Sequence, residues 1–152
     1  MNQTEKDKNT ALQKIEAINC VDGFDPSAFA VDYTDMASGE VRKRLPVMAQ
    51  LAWFRLKYPN GKITVTVTPG KETYIASARI YPSYQDAPEC YLAEASACRG
   101  RSESKPSVSP REWAQTAAIG IALRNAGFGL QFSMAGEDFD DIAPDLPEDE
   151  SK

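Results

Sequence analysis

The stretch Lys62–Thr68, KITVTVT, is followed by Pro69-Gly70 and then by Tyr74–Tyr81, YIASARIY. In the first run Ile63, Val65 and Val67 alternate with Thr64, Thr66 and Thr68, the period-two pattern of a half-buried strand. In the second, Tyr74, Ala76, Ala78 and Ile80 alternate with Ile75, Ser77, Arg79 and Tyr81. The Pro-Gly pair between them predicts a turn, and so an antiparallel hairpin. After a connection containing Pro82, Asp86 and Pro88, Cys90–Arg99 (CYLAEASACR) reads as a third strand. Its small residues Ala93, Ala95 and Ala97 share one face, where a helix can approach closely.

Helical patterns flank this meander. In Pro46–Tyr58, PVMAQLAWFRLKY, Pro46 suits a first helical turn and Pro59 stops the helix. Val47, Leu51, Phe54 and Tyr58 line one face, and Ala49, Trp53 and Leu56 line another. A helix apolar on two faces needs cover on both, from a sheet and from either a neighbouring subunit or the N-terminal arm. Asn60-Gly61 then turns the chain. Downstream, Ser109-Pro110-Arg111-Glu112 combines an N-cap serine, a first-turn proline and a capping-box glutamate. The helix it opens runs to about Ala126, where Gly127 ends it. Gly120 inside that helix costs ~0.8–1 kcal/mol relative to alanine, which a close helix–sheet contact would offset. The expected fold is therefore α+β: a three-stranded antiparallel β-meander with helices packed on one face, in the order α-β-β-β-α, over residues 45–132.

The ends differ from this core. Residues 1–44 read as a partly disordered N-terminal arm. Leu12, Ile15 and Ile18 form one thin apolar stripe, marginal as a lone helix, that either frays or docks on a neighbour. Gly23, Pro26 and Gly39 make residues 22–44 irregular, with a short hairpin around Ser38–Gly39. Residues 133–152 read as an acidic disordered tail. At 152 residues the chain has room for one domain. No apolar run reaches the ~18 residues of a membrane span, and MNQTEKDKNT lacks a signal peptide's apolar stretch, so a cytoplasmic protein with no membrane partner is expected. Cys20, Cys90 and Cys98 are an odd count and are read as free thiols, with Cys90 and Cys98 as small buried residues. Histidine is absent, which removes histidine bases and most catalytic zinc sites. No phosphate loop or dinucleotide fingerprint is present. Asp140-Asp141 lies in a tail without a scaffold to orient it for acid–base work. These features favour a binding protein needing no cofactor or metal over an enzyme.

Charge is unevenly distributed. Residues 1–40 are net −5, residues 41–111 carry 12 bases and 5 acids for a net +7, and residues 137–152 are net −7. A basic middle between acidic ends can hold a polyanion locally despite an overall −5. The candidate contacts are Arg42, Lys43 and Arg44 before the first core helix, Arg55 on it, Arg79 on the open side of the second strand, and Arg99, Arg101 and Lys105 in a polar loop. Each has a plainer reading. Arg55 can lay its stem over apolar surface, the basic triplet can be solvated, and the loop can be a disordered charged segment. Tyr74, Tyr81, Tyr84 and Tyr91 can stack on bases or pack in the core. The tail, EDFDDIAPDLPEDE, interleaves acids with Phe139, Ile142 and Leu146, and either recruits a protein partner or solubilises the chain.

The pattern L-P-V-x(5)-W-F-R-x(3)-P at Leu45–Pro59, the hairpin, the third strand and the helix EWAQTAAIGIALRNAGFG at Glu112–Gly129 together resemble the single-strand annealing recombinases. These are phage annealing proteins of the Erf and Sak kind and the ring-forming domain of the eukaryotic annealing mediator. The resemblance covers Leu45–Phe132 and is most specific in the last helix, where relatives carry A-E-T-x-A-I-G-R-A-L-x-x-A-G. This chain has Gln115 in place of that glutamate and Ile121 in place of that arginine, and Arg124, one turn on, is the candidate to supply the charge. The resemblance implies a three-stranded sheet backed by a helix, a homo-oligomeric ring or filament, and annealing of single-stranded DNA in a basic groove without ATP. A single-strand binder that does not anneal, and a scaffold docking on an acidic partner, are the alternative readings.

Overall fold

The computed structural model describes residues 2–34 and 37–133. Asn2 opens α1 (Gln3–Glu16) with a capping box: its side chain accepts from the Glu5 N–H at 2.8 Å, and Glu5 accepts from the Asn2 N–H at 3.4 Å. α1 is covered only along Leu12 and Ile15, where it meets the short helix Leu130–Ser133. Asp25 then caps a 3-10 turn, Pro26–Phe29, accepting from the Ser27 hydroxyl at 2.6 Å and the Ser27 N–H at 3.0 Å. β1 (Val31–Thr34) pairs antiparallel with β2 (Val41–Arg44), placing Val31 opposite Arg44. The N-terminal arm thus holds a helix around the Leu12–Ile15 stripe, a 3-10 turn and a hairpin.

α2 (Val47–Lys57) follows, then β3 (Lys62–Pro69), β4 (Thr73–Tyr81), β5 (Ala93–Gly100), α3 (Pro110–Asn125) and α4 (Leu130–Ser133). The chain is a mixed α+β protein with two antiparallel sheets, ordered β1-β2 and β3-β4-β5. The five-element order expected from sequence leaves out the smaller sheet and the helices at both ends of the described chain. It also places both core helices on the sheet, whereas α3 lies across β4 and β5 and α2 packs mainly against α3. Alanine explains the close approach: Ala76, Ala78 and Ala97 meet Ala114, Ala118 and Ala122 in one buried layer. Ser109 caps α3 by accepting from the Glu112 N–H at 3.4 Å.

β5 begins three residues later than expected. Cys90 still donates to Ala87 in a turn, at 2.9 Å, and only at Leu92, donating to Ile80 at 2.7 Å, does the ladder close. All three cysteines are exposed, which corrects the reading of Cys90 and Cys98 as buried. The reason is parity: Cys98 stands opposite Ile75, on the side away from Ala97 and α3.

The large aromatic side chains gather beyond the alanine layer. The fully buried Phe128 ring lies edge-on to Trp53 at 5.2 Å, Phe54 at 5.7 Å and Tyr58 at 6.3 Å between centroids. Phe128 reaches this point because α3 ends in a tight reversal: its N–H donates to Leu123 at 2.9 Å, and that of Gly127 donates to Arg124 at 2.9 Å. Gln50, buried on α2, donates to Phe128 O at 2.9 Å and Gly120 O at 3.2 Å, joining α2 to the middle and the end of α3. Trp53, on the second apolar face of α2, is covered by the chain's own arm. Its indole N–H donates to Asn19 O at 2.9 Å, and Phe24 lies 6.3 Å from its ring. The turn into β3 is equally tight: Gly61 N–H donates to Tyr58 O at 2.9 Å, and a Cβ on Gly61 would collide with the Phe54 ring. The acidic tail, apart from Ser133, lies outside the described residues.

Candidate nucleic-acid interface

Because α3 covers one face of β3-β4-β5, the residues of opposite parity line an uncovered face. The register sets them in rows: Thr64, Arg79 and Glu94; Thr66, Ser77 and Ser96; Thr68, Ile75 and Cys98. The middle row closes with a 2.7 Å hydrogen bond between the Ser77 and Ser96 hydroxyls. This face offers hydroxyl donors and acceptors across most of its area, with charge concentrated at one end.

At that end cations and aromatic rings interleave. The Arg79 guanidinium lies 4.8 Å from the centre of the Tyr91 ring, and Lys62 Nζ lies 4.5 Å from that of Tyr81. Tyr81 and Tyr91 meet edge to face at 6.4 Å. Arg79 also pairs with Glu94 at 3.2 Å and donates to Pro88 O at 3.2 Å. Hydrogen bonding with Tyr81 and then with Glu94 pushes the guanidinium's pKa upward, so its charge is fixed. Hydrogen bonds tie down the loop after β4. Tyr84 N–H donates to Asn60 O at 2.7 Å, the Tyr81 hydroxyl to Pro88 O at 2.7 Å, and Lys62 to Asp86 O at 2.9 Å. The result presents Tyr84 and Tyr91 to solvent, 60% and 39% exposed, beside a fixed positive charge. Flat rings next to cations can stack on bases while neutralising a phosphate.

The remaining sequence candidates are spread over other elements. Arg42, Lys43 and Arg44 stand on β2 of the smaller sheet, where Arg42 pairs with Glu40 at 3.6 Å and Lys43 with Asp32 at 3.8 Å. Arg55 lies on α2, where its guanidinium itself, and not only a stem, sits 5.4 Å from the Phe54 ring centre and donates to Gly61 O. Arg101 and Lys105 are exposed in the connection between β5 and α3. Arg124 stands in the last turn of α3. Arg99 is the misplaced one. It belongs to β5, not to the loop, and its parity points it toward α3. There it is 8% exposed, stacks 5.3 Å from the Trp113 ring and donates to Cys98 O at 2.8 Å. Tyr74 is likewise half-buried on the helix side.

Sequence reasoning passed over Lys62 and Glu94. Both were findable: counting the ladder back from Pro69 opposite Tyr74 sets Lys62 opposite Tyr81, and Arg79 opposite Glu94 follows on the other side of β4. Among the described residues no group of three or more His, Cys, Asp or Glu side chains is placed to hold a metal ion, and no helix is long and apolar enough to cross a membrane. No protein-family model and no curated protein matches this chain.

Proposed function

We propose that this protein binds single-stranded DNA and promotes annealing of complementary strands without ATP, as a homo-oligomer. The observation that carries the reading is the cluster of Arg79, Lys62, Tyr81, Tyr84 and Tyr91 at one end of the open sheet face, within a segment of net +7. In this reading α2, β3, β4, β5 and α3 form the annealing core of the family that the sequence resembles. Phosphates are neutralised by Arg79 and Lys62, with Arg101, Lys105, Arg124, Arg55 and the β2 triplet extending the path, while Arg99 braces the sheet. The strand is held extended with bases accessible, and pairing with a second strand supplies the driving force, so no catalytic group is needed. The outer edges of β3 and β5 are where neighbouring copies would join.

The test is an annealing assay with fluorescent complementary oligonucleotides alongside a binding titration. The expected result is faster duplex formation, weakened by Arg79→Glu and by Tyr84→Ala. Binding without acceleration would replace the reading with that of a plain single-strand binder, and absence of binding would remove it.

A further inference from the structure

Glu94 is an unfavourable neighbour for a phosphate. It stands on β5 opposite Arg79, and the two side chains are equally exposed, at 38%. Its Oε1 accepts from the Arg79 Nε–H at 3.2 Å, and among the described residues Glu94 accepts from nothing else. An ionised carboxylate is an acceptor only, with room for about four hydrogen bonds, so most of its capacity faces solvent. A phosphate held by Arg79 lies beside this negative charge. Aiming Arg79 does not require it, because Pro88 O accepts from the guanidinium at 3.2 Å and the Tyr91 ring lies 4.8 Å away. A half-exposed ion pair of this kind also adds little to stability.

A ligand that satisfies both side chains brings a negative oxygen to Arg79 and a hydrogen-bond donor to Glu94. Inside a DNA strand the phosphates and deoxyriboses are acceptors only. Its donors lie on the base edges, which annealing needs free for pairing. RNA carries a further donor on every sugar, the 2′-hydroxyl. The neighbouring row of the sheet suits the same sugar. Ser77 and Ser96 stand ~6.8 Å along their strands from Arg79 and Glu94, and their hydroxyls bond to each other at 2.7 Å. That bond uses one of the two O–H groups and leaves one donor with spare lone pairs. Thr66, Ser77 and Ser96 are all short, so this row leaves room for the extra oxygen of ribose.

We propose that the open sheet face takes single-stranded RNA in preference to DNA, with Arg79 on a phosphate and Glu94 accepting from the 2′-hydroxyl of the adjoining ribose. The inference rests on the nucleic-acid interface proposed above and adds sugar selection to it. The carboxylate repels the phosphate of either strand, but only RNA recovers the loss, through a charge-assisted O–H···O⁻ hydrogen bond.

The experiment titrates the full chain by fluorescence anisotropy with three strands of one length: oligouridine, oligodeoxyuridine and 2′-fluoro oligouridine. The bases are identical, and the fluoro sugar keeps the ribose pucker but has no proton to donate. Oligouridine should bind at least about threefold tighter than the deoxy strand, and the fluoro strand should bind like the deoxy one. Glu94→Ala should tighten binding of the deoxy strand and bring the ratio of the RNA and DNA affinities to about one. Equal affinity of the unaltered chain for all three strands would overturn the inference and leave DNA binding standing. An RNA advantage shared by the fluoro strand would overturn it too, by assigning the preference to pucker, as would an advantage that survives Glu94→Ala. Binding to none of the strands would remove the interface itself and this inference with it.

Discussion

Gly127 combines a backbone and a packing requirement. Its φ of +97° ends α3, and a Cβ there would stand 2.8 Å from both Ile18 Cγ2 and Asn19 Nδ2. Asn19, itself at φ 56°, donates to Ala126 O at 3.0 Å and accepts from Trp53, so it fastens the arm to α2 and α3 together. Gly127→Ala should therefore cost roughly 1–3 kcal/mol, combining left-handed strain with loss of this seat. Urea unfolding followed by tryptophan fluorescence measures it, and a loss of only a few tenths would mean that the arm is not seated there. As a helix stop, Gly127 was legible in the sequence. Its contact with Asn19 was not, because the Asn19 amide and the Ala126 carbonyl that seats it there lie 107 residues apart and no local pattern links them.

At the scale of elements, strand parity separates two arginines that look alike in composition. Arg79 and Arg99 both sit on β-strands, yet Arg79 faces the open side and Arg99 faces α3. Arg99→Ala should lower stability by roughly 1–3 kcal/mol through lost stem packing and the Trp113 contact. Arg79→Ala should leave the unfolding midpoint nearly unchanged and weaken binding to all single-stranded sequences alike. Thermal melts paired with anisotropy titrations distinguish the two, and the reverse pattern would exchange their assigned roles. The β3–β4 hairpin was readable from alternation, but its reversal sits later than the expected Pro69-Gly70: Pro69 still pairs with Tyr74, and the Gly70 N–H donates to Thr73 O around Lys71-Glu72. The start of β5 was not, since Tyr91 and Leu92 continue an apolar pattern while the backbone of residues 87–90 is still turning. The β1–β2 hairpin was legible from Ser38-Gly39 as a short hairpin, but not the extent of its strands, because four-residue strands barely establish a period.

Across the whole molecule, in the proposed reading, charge segregation and the outer edges of β3 and β5, which pair with no further strand among the described residues, govern the solution behaviour. Assembly larger than a dimer at micromolar concentration is expected, and light scattering that shows only monomer over that range would remove the ring or filament. The argument for assembly shifts, however. From sequence it rested on the two apolar faces of α2. In the structure Asn19 and Phe24 cover the Trp53 face, so assembly must draw on the edges of β3 and β5 instead. Binding to single strands should weaken with salt with a log–log slope of ~−0.7 per phosphate neutralised. A slope near zero would indicate that the +7 segment does not meet the backbone.

The turn at Asn60-Gly61 also acts as a chemical clock. An asparagine followed by glycine ages when the glycine nitrogen attacks the side-chain amide carbon and expels ammonia, closing a five-membered imide that water reopens mostly as isoaspartate. Here that nitrogen is committed to Tyr58 O, and the Phe54 ring crowds Gly61. Ring closure must await a local opening of the turn, so the folded chain should deamidate at Asn60 far more slowly than the denatured chain. The extra backbone carbon of isoaspartate would then push Lys62 out of register with Tyr81 and dismantle the aromatic–cation cluster from its base. Peptide mapping of stored protein, read against retained DNA binding, would show whether the shelf life of this surface is set by that one bond.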